Sequence, residues 1–576
     1  MTPPVDGTRA EPSPPQFAIP PLEQWSTLHS YLLLTAATML CLLPFSERAF
    51  HVDDTLFVWA AQQIAKHPLD PYGFQLTWDN APASMADVTQ NPPLASYYAA
   101  LIGRMAGWSE RTLHLAFLAS TLALVLGTYR FARRLTRSPL LAALATLLTP
   151  GLLVSASSVM CDTMMLAIWV WAVIFWVEGL EPAKPLFLTA SALLIAAAAL
   201  TKYFGASLIL LLFIYAVARL RRVGSWALYL LIPLGILSAY QLWSEKLYGH
   251  GLLSHAAGFA STQRSFANAP LTSMVLIGAS FAGGCALSAL VLAPLLWSRL
   301  QNIAGVALSG IVASSIALGS VPLGLQVGGD PVLAVRHQHW LLLAVQLTFC
   351  IAGGLSVLAL AITDYWEEKS ADSLFLMLWV GGTFFFAALI NYTLNARSVL
   401  PLIPAVGILL ARRFDRVPVA QHGATPAKIA AALALSAWVS LWVVRADTEL
   451  ANSARRAAEI IYERTRGQGS ALWFEGHWGF QYYMESRGAH PVDLNDPQAQ
   501  PGDFIVIPVN NIQLADIAPQ FIASSQSFTL PVHSGASTIC RDLGGGFYSS
   551  YWGPLPYAFG PIPPERYVIV LLAPEP

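Results

Sequence analysis

Residues 339–362 read HWLLLAVQLTFCIAGGLSVLALAI, a run without a single Asp, Glu, Lys or Arg. A helix rises about 1.5 Å per residue, so this run is long enough to cross a hydrocarbon layer about 30 Å thick. Such a layer offers the backbone no water, and a helix satisfies its own amides there. Working outward, comparable runs lie near 28–46, 112–130, 139–157, 163–178, 186–201, 203–218 and 226–243. Others lie near 273–297, 302–322, 373–391, 397–411 and 427–445. Thirteen spans are therefore expected, several of them short.

The whole chain has the same character. Of its 576 residues, 55% are apolar and 11% charged, and the mean hydropathy is +0.54. Soluble domains carry about 25% charged residues, so an ordinary cytosolic enzyme is excluded. A net charge of -1 offers no basic field for nucleic acid. The five cysteines, Cys41, Cys161, Cys285, Cys350 and Cys540, show no CxxC spacing and read as small apolar fillers, not a disulfide framework.

Basic residues in short loops mark the cytoplasmic side. The densest clusters are Arg130/Arg133/Arg134/Arg137, Arg219/Arg221/Arg222 and Arg412/Arg413/Arg416. With thirteen spans and a cytoplasmic N-terminus, all three fall on one side. The expected architecture is mainly α: a polytopic helical membrane body over 28–445, preceded by a disordered, Pro-rich cytoplasmic segment 1–27. Its first helix reads as retained, since no Ala-x-Ala-like cleavage site follows it. Three polar stretches face the other side: Glu47–Arg111, Ser244–Leu271 and the tail after Arg445. In the first, Thr55–Lys66 and Asn91–Met105 read as helices lying in the interface. The tail, 446–576, reads as a small extracytoplasmic α/β domain, with a helix over His477–Arg487 and strands at Phe504–Pro508 and Tyr567–Leu572.

The candidate site residues sit at helix ends on that outer side. Asp53 and Asp54 precede the first interfacial helix, where one carboxylate can cap the helix while the other faces a cleft. Asp162, in ASSVMCDTMML, stands before the fourth span, where a lone Asp reads first as an N-cap. Lys202, in LTKYFG, and Arg397, in NARSVLPLIP, either snorkel to headgroups or offer counter-charge to a lipid phosphate. Lys246, Arg264 and Arg336 carry the same two readings. His337 and His339 form HQH without an acid at ligand spacing, which argues against a metal there. A divalent metal is compatible with the outer acids, but no complete ligand set is visible. The chain has no phosphate-binding loop, dinucleotide fingerprint or nucleophile elbow.

Taken in order, Asp53-Asp54, the Asn91-Pro-Pro-Leu turn with Tyr97-Tyr98, Asp162, Thr201-Lys202 and the Arg397-x-x-x-Pro-x-x-Pro pattern resemble the membrane-embedded GT-C glycosyltransferases. Within these, the chain is similar to the protein O-mannosyltransferases and the aminoarabinose transferases that modify lipid A, that is, glycosyltransferase family 39 and its bacterial kin. The resemblance covers about 30–445. It implies transfer of a sugar from a polyprenyl-phosphate donor to an acceptor (protein, glycan or lipid) on the extracytoplasmic face of the cell inner (plasma) membrane. Membrane lipids would surround the site, and nucleic acid has no part. Asp53 would be the base, with Asp54 and Asp162 shaping the same cleft. Lys202 and Arg397 would hold the phosphate, and Asn91, Tyr97 and Tyr98 would line the pocket. Two departures stand out. The second acid is Asp where the family has Glu, and Asn91 replaces the Lys of relatives acting on lipid A. A transporter or flippase of lipid-linked sugars is the competing reading, but transporters place such charges near the bilayer midplane.

Overall fold

The computed structural model describes residues 27–574, apart from 79, 182–183, 268–269, 322, 324–325, 328–329, 332–335, 417–424, 469 and 513. Nearly all of the N-terminal segment expected to be disordered lies outside this range. Among the described residues, nine helices are long and apolar enough to cross a membrane, the longest being Pro426–Thr465 and Trp340–Glu368. The pair Pro139–Leu147 and Pro150–Ala156, bent by 63°, would make a tenth. The bend falls where Pro150 cannot donate an amide to the preceding turn. The other three expected spans are shorter. Pro185–Thr201 and Leu271–Cys285 are shorter apolar helices of 17 and 15 residues, and the third is broken into Ala396–Val399, a 3₁₀ turn and Ile403–Arg416. The expected span 273–297 ends early at Cys285 and continues as two short pieces, Leu287–Val291 and Ala293–Leu296. Gly283 and Gly284 favour such a break, and Pro294 stands in the first turn of the last piece.

The glycines also set a close crossing. A Cβ on Gly283 would lie 1.9 Å from the Cys350 carbonyl oxygen, and one on Gly354 would lie 2.0 Å from that of Ala279. Helices Leu271–Cys285 and Trp340–Glu368 therefore pack backbone to backbone, as small residues permit in membranes. Large apolar side chains such as Leu210, Leu242, Ile311 and Leu341 point outward, as helices facing lipid do.

The three arginine clusters meet at one end of the bundle. Arg134 and Arg219 both pair with Glu181, at 2.6 Å each. Asp415 accepts from Thr136 and Ser138, and its neighbour Arg416 pairs with Asp364 and Glu368. Helix Asp162–Leu180 starts at the other end and runs 19 residues, roughly 28 Å, toward this charged layer.

Between the first two long helices lie Asp54–Lys66, the hairpin Gln75–Trp78/Ala81–Ser84, and Leu94–Ala106. Helix Pro426–Thr465 runs unbroken through position 446, and its far half packs on helix Trp478–Glu485. The tail holds a five-stranded sheet in the order His490–Pro491, Leu472–Phe474, Phe504–Pro508, Glu565–Leu572, Ile522–Leu530. The first three strands are parallel and the last two join antiparallel. Phe504–Pro508 alternates inward residues such as Val506 with Tyr567 and Ile569 of its neighbour in one small core.

Candidate functional site

A helical hairpin builds the first half of the site. Helix Asp162–Leu180 runs down and Pro185–Thr201 runs back, which returns position 202 to the level of position 162. Lys202 stands in extended backbone after Thr201, and its ammonium pairs with Asp162 Oδ1. Asp162 is not the cap. Cys161 occupies that position, and Asp162 opens the first turn with its side chain 2% exposed and Oδ2 without a partner among the described residues. A nearby orphan acceptor is a natural place for a substrate donor.

Arg397 builds the second half. It projects from the stub Ala396–Val399, whose start is fixed by a capping box between Asn395 and Ser398. Its Nη2 donates to Asp53 Oδ2 at 2.8 Å, and Nη1 lies 2.9 Å from the Met160 sulfur. Met160, Cys161 and Asp162 are consecutive, so one turn supplies Asp162 to the first ion pair and touches Arg397 of the second. Asn91 joins it, since its Oδ1 lies 3.6 Å from the Cys161 sulfur. Four charged groups from four distant segments are thus gathered at the end of the bundle away from the arginine layer.

The two adjacent acids differ in kind. Asp53 holds the N-cap position of its helix but makes no capping bond. Its side chain is 25% exposed and faces Arg397. Asp54 is fully buried and accepts two backbone amides, from His51 at 2.9 Å and Val159 at 2.8 Å. It fastens the 51–54 turn to the 157–162 turn. That fastening opposes real strain, because Val52 has a φ of +47°, a conformation a β-branched residue rarely adopts. Tyr97 and Tyr98 are directed elsewhere: their hydroxyls donate to the carbonyls of Pro68 and Ala116.

Beneath the site lies a network that the sequence reading missed. Arg48, 1% exposed, pairs with Asp447 at 2.7 Å and donates to Ser157. Tyr548 and Thr538 also donate to Asp447, at 2.9 and 2.5 Å. The available signal was weak: Arg48 and Asp447 look like ordinary charges flanking two spans. The aromatic-rich stretch FYSSYWGPLPYAF, 547–559, was the stronger hint that this part of the tail is packed and not loose.

Burial pushes the Asp54 carboxyl up to about 6, against the lowering effect of Arg48 and the two amides. Burial also pushes His51 down to about 4, against Asp447. The two have opposite linkage. Asp54's contribution to stability is full below about pH 4 and fades as pH rises through 6. His51's is full above about 6.5 and is lost as pH falls through 4. Between these limits the slopes oppose each other in the natural protein. Asp54→Asn removes the carboxyl slope and leaves the histidine slope unopposed by it, so its melting temperature should drop more steeply than wild type on acidification from pH 6.5 to 4. Parallel curves for the two proteins would refute the assignment.

For a metal, HQH offers little, since His337 Nδ1 is occupied by the His339 amide. Among the described residues, one group has its ligand atoms within 4.8 Å of each other, namely Asp87, His250 and His255. Two imidazoles and a carboxylate suit a divalent transition metal.

Fold and site together define a polytopic helical membrane protein with a charged, partly open cluster at one end of its bundle. Residues 90–243 match the family described as dolichyl-phosphate-mannose-protein mannosyltransferase, and the chain resembles that group of GT-C membrane glycosyltransferases. The match includes Asn91, Tyr97, Tyr98, Asp162 and Lys202, and leaves out Asp53, Asp54 and Arg397. No curated protein matches the chain in sequence. Among solved structures, ArnT from Cupriavidus metallidurans bound to undecaprenyl phosphate aligns at 14% identity and a TM-score of 0.42, over 84% of this chain and 94% of that one. The arabinofuranosyltransferase AftD from Mycobacteria aligns at 12% identity and 0.38, over 95% of this chain and 40% of that one.

Proposed function

We propose that the protein is a glycosyltransferase that moves a sugar from a polyprenyl-phosphate donor to an acceptor hydroxyl on the extracytoplasmic face of the plasma membrane. The observation that carries this is the pairing of Asp53 with Arg397 and of Asp162 with Lys202 beside one turn, at the end of the bundle away from the arginine layer. A lipid donor requires a site where helix ends meet the bilayer surface. Its leaving group is a phosphate, which needs cations more than a proton. Each cation here is already neutralised by an acid, so an incoming phosphate competes for Arg397 and Lys202 and frees carboxylate oxygens.

In that arrangement Asp53 takes the proton of the acceptor hydroxyl as its oxygen bonds to the anomeric carbon. The bond from that carbon to the phosphate oxygen breaks, and its electron pair leaves with the polyprenyl phosphate. A single displacement of this kind inverts the anomeric centre. The region 446–576 would stand outside the cytoplasm, the N-terminus within it. Asp54 and Val159 would hold the turn in register, and Asp87, His250 and His255 could seat a divalent metal.

The test is an assay of the purified full chain with a panel of labelled polyprenyl-phosphate sugars and a cell-envelope fraction as acceptor. At least one donor should give labelled product and free polyprenyl phosphate. If none does, while vesicles containing the protein move a lipid-linked sugar across their bilayer, the enzyme reading is wrong and the transporter reading replaces it.

A further inference from the structure

The C-terminal region does not merely sit above the helices. Residues 536–560 enter the end of the bundle and bond to the segment that carries Arg397. The Ala396 amide donates to the Phe547 carbonyl at 2.8 Å, and the Ser550 amide donates to the Leu394 carbonyl at 2.7 Å. Thr393 and Ser549 share a hydroxyl hydrogen bond of 2.9 Å. Further out, Tyr557 donates to the Gly284 carbonyl, and a Cβ on Gly284 would lie 2.4 Å from Pro556. This segment packs in one continuous core with the membrane helices.

One side chain on it reaches the charged cluster. The Arg397 guanidinium carbon lies 5.7 Å from the centre of the Tyr548 ring, within cation–π range. The Tyr548 hydroxyl is anchored on the far side by Asp447 and Arg48. Arg397 is thus held from three directions: Asp53 at its tip, the Tyr548 ring near its guanidinium, and tail backbone bonded to Leu394 and Ala396 just before it. A flexible arginine ordered in this way loses less freedom when it binds phosphate.

We propose that residues 536–560 are a working part of the transfer site, and that Tyr548 is a positioning residue which presents Arg397 to the donor phosphate. This rests on the glycosyltransferase reading above. It makes the tail a required element of donor binding, not a separate acceptor module.

The experiment is a double-mutant cycle on the full chain, reading binding of sugar-free polyprenyl phosphate and, in parallel, thermal unfolding. Tyr548→Leu should weaken binding about tenfold, the scale of a desolvated cation–π contact. Tyr548→Phe keeps the ring and should stay within about threefold. On an Arg397→Gln background, Tyr548→Leu should add less than about a twofold loss, because its effect runs through Arg397. A loss of equal size in both backgrounds, or equal losses for Phe and Leu, would mark Tyr548 as ordinary packing and overturn the proposal. If the natural protein binds no polyprenyl phosphate, the function reading falls instead. The unfolding cycle, blind to ligand, then decides separately whether Tyr548 holds Arg397: additive effects there overturn that link too.

Discussion

Asp53→Asn should cut sugar transfer by a factor of at least about a hundred and up to about ten thousand, the range of a lost general base. The amide has the shape of the carboxylate and can still accept from Arg397, so the ion pair becomes a neutral hydrogen bond at a partly exposed position. The cost to stability should stay near 1 kcal/mol, the scale of a modest hydrogen-bond change. What the variant loses is a place for the acceptor's proton. Asp54→Asn is the natural comparison. Its carboxylate is sealed from solvent and spends both oxygens on backbone amides, so the damage there should appear in the melting temperature first. Transfer by Asp53→Asn within about threefold of wild type, against the range above, would remove Asp53 from the chemistry. A large loss of expression or melting temperature in that variant would show instead that Asp53 serves the fold.

That contrast shows what could be read from the chain alone. Hydropathy located the helices, because lipid imposes one requirement on every span and the composition must answer it. Length was read less well. The run 273–297 is apolar throughout, but Gly283, Gly284 and Pro294 break its helix into three, and a hydropathy pattern does not register backbone breaks. The candidate acids were visible because they stand at the ends of apolar runs on one side of the bundle, although a helix cap was an available reading for each. Their division of labour was not visible. Asp53 and Asp54 are neighbours with the same side chain, and only the turn, with Val52 at positive φ, sends one to the cleft and the other into backbone amides. Asp162 looked like a helix cap and is instead the partner of Lys202, a pairing set by the hairpin between them. Tyr97 and Tyr98 were placed in the pocket by the family resemblance, yet helical geometry turns their hydroxyls to other carbonyls. The tail's role was the least legible. Its contact with Arg397 joins positions 397 and 548, and no local pattern encodes a meeting at that separation.

The second large effect belongs to the network beneath the site. Asp447→Leu should destabilise the protein by about 3–5 kcal/mol, the cost of stranding one partner of a buried ion pair. Arg48 has no route to water, being 1% exposed. Ser157 and Tyr548 could still accept its hydrogen bonds, but neither carries a countercharge. Asp447 also receives the hydroxyls of Thr538 and Tyr548, so the same substitution frees two buried donors. Asp447→Asn should fall between the two, since it keeps an acceptor for those hydroxyls while losing the charge. The decisive variant is the double change Arg48→Met with Asp447→Leu. Replacing both charges by apolar side chains removes the stranded cation, and such replacements are often neutral or better. The double variant should therefore recover most of the melting temperature lost by Asp447→Leu alone. Asp447→Leu within about 1 kcal/mol of wild type, well short of that cost, would show that the pair is not what holds the tail to the bundle. Full stability of the double variant with weakened donor binding would be the more informative outcome. It would mean that these charges serve the placing of Tyr548, and through it Arg397, more than they serve the fold.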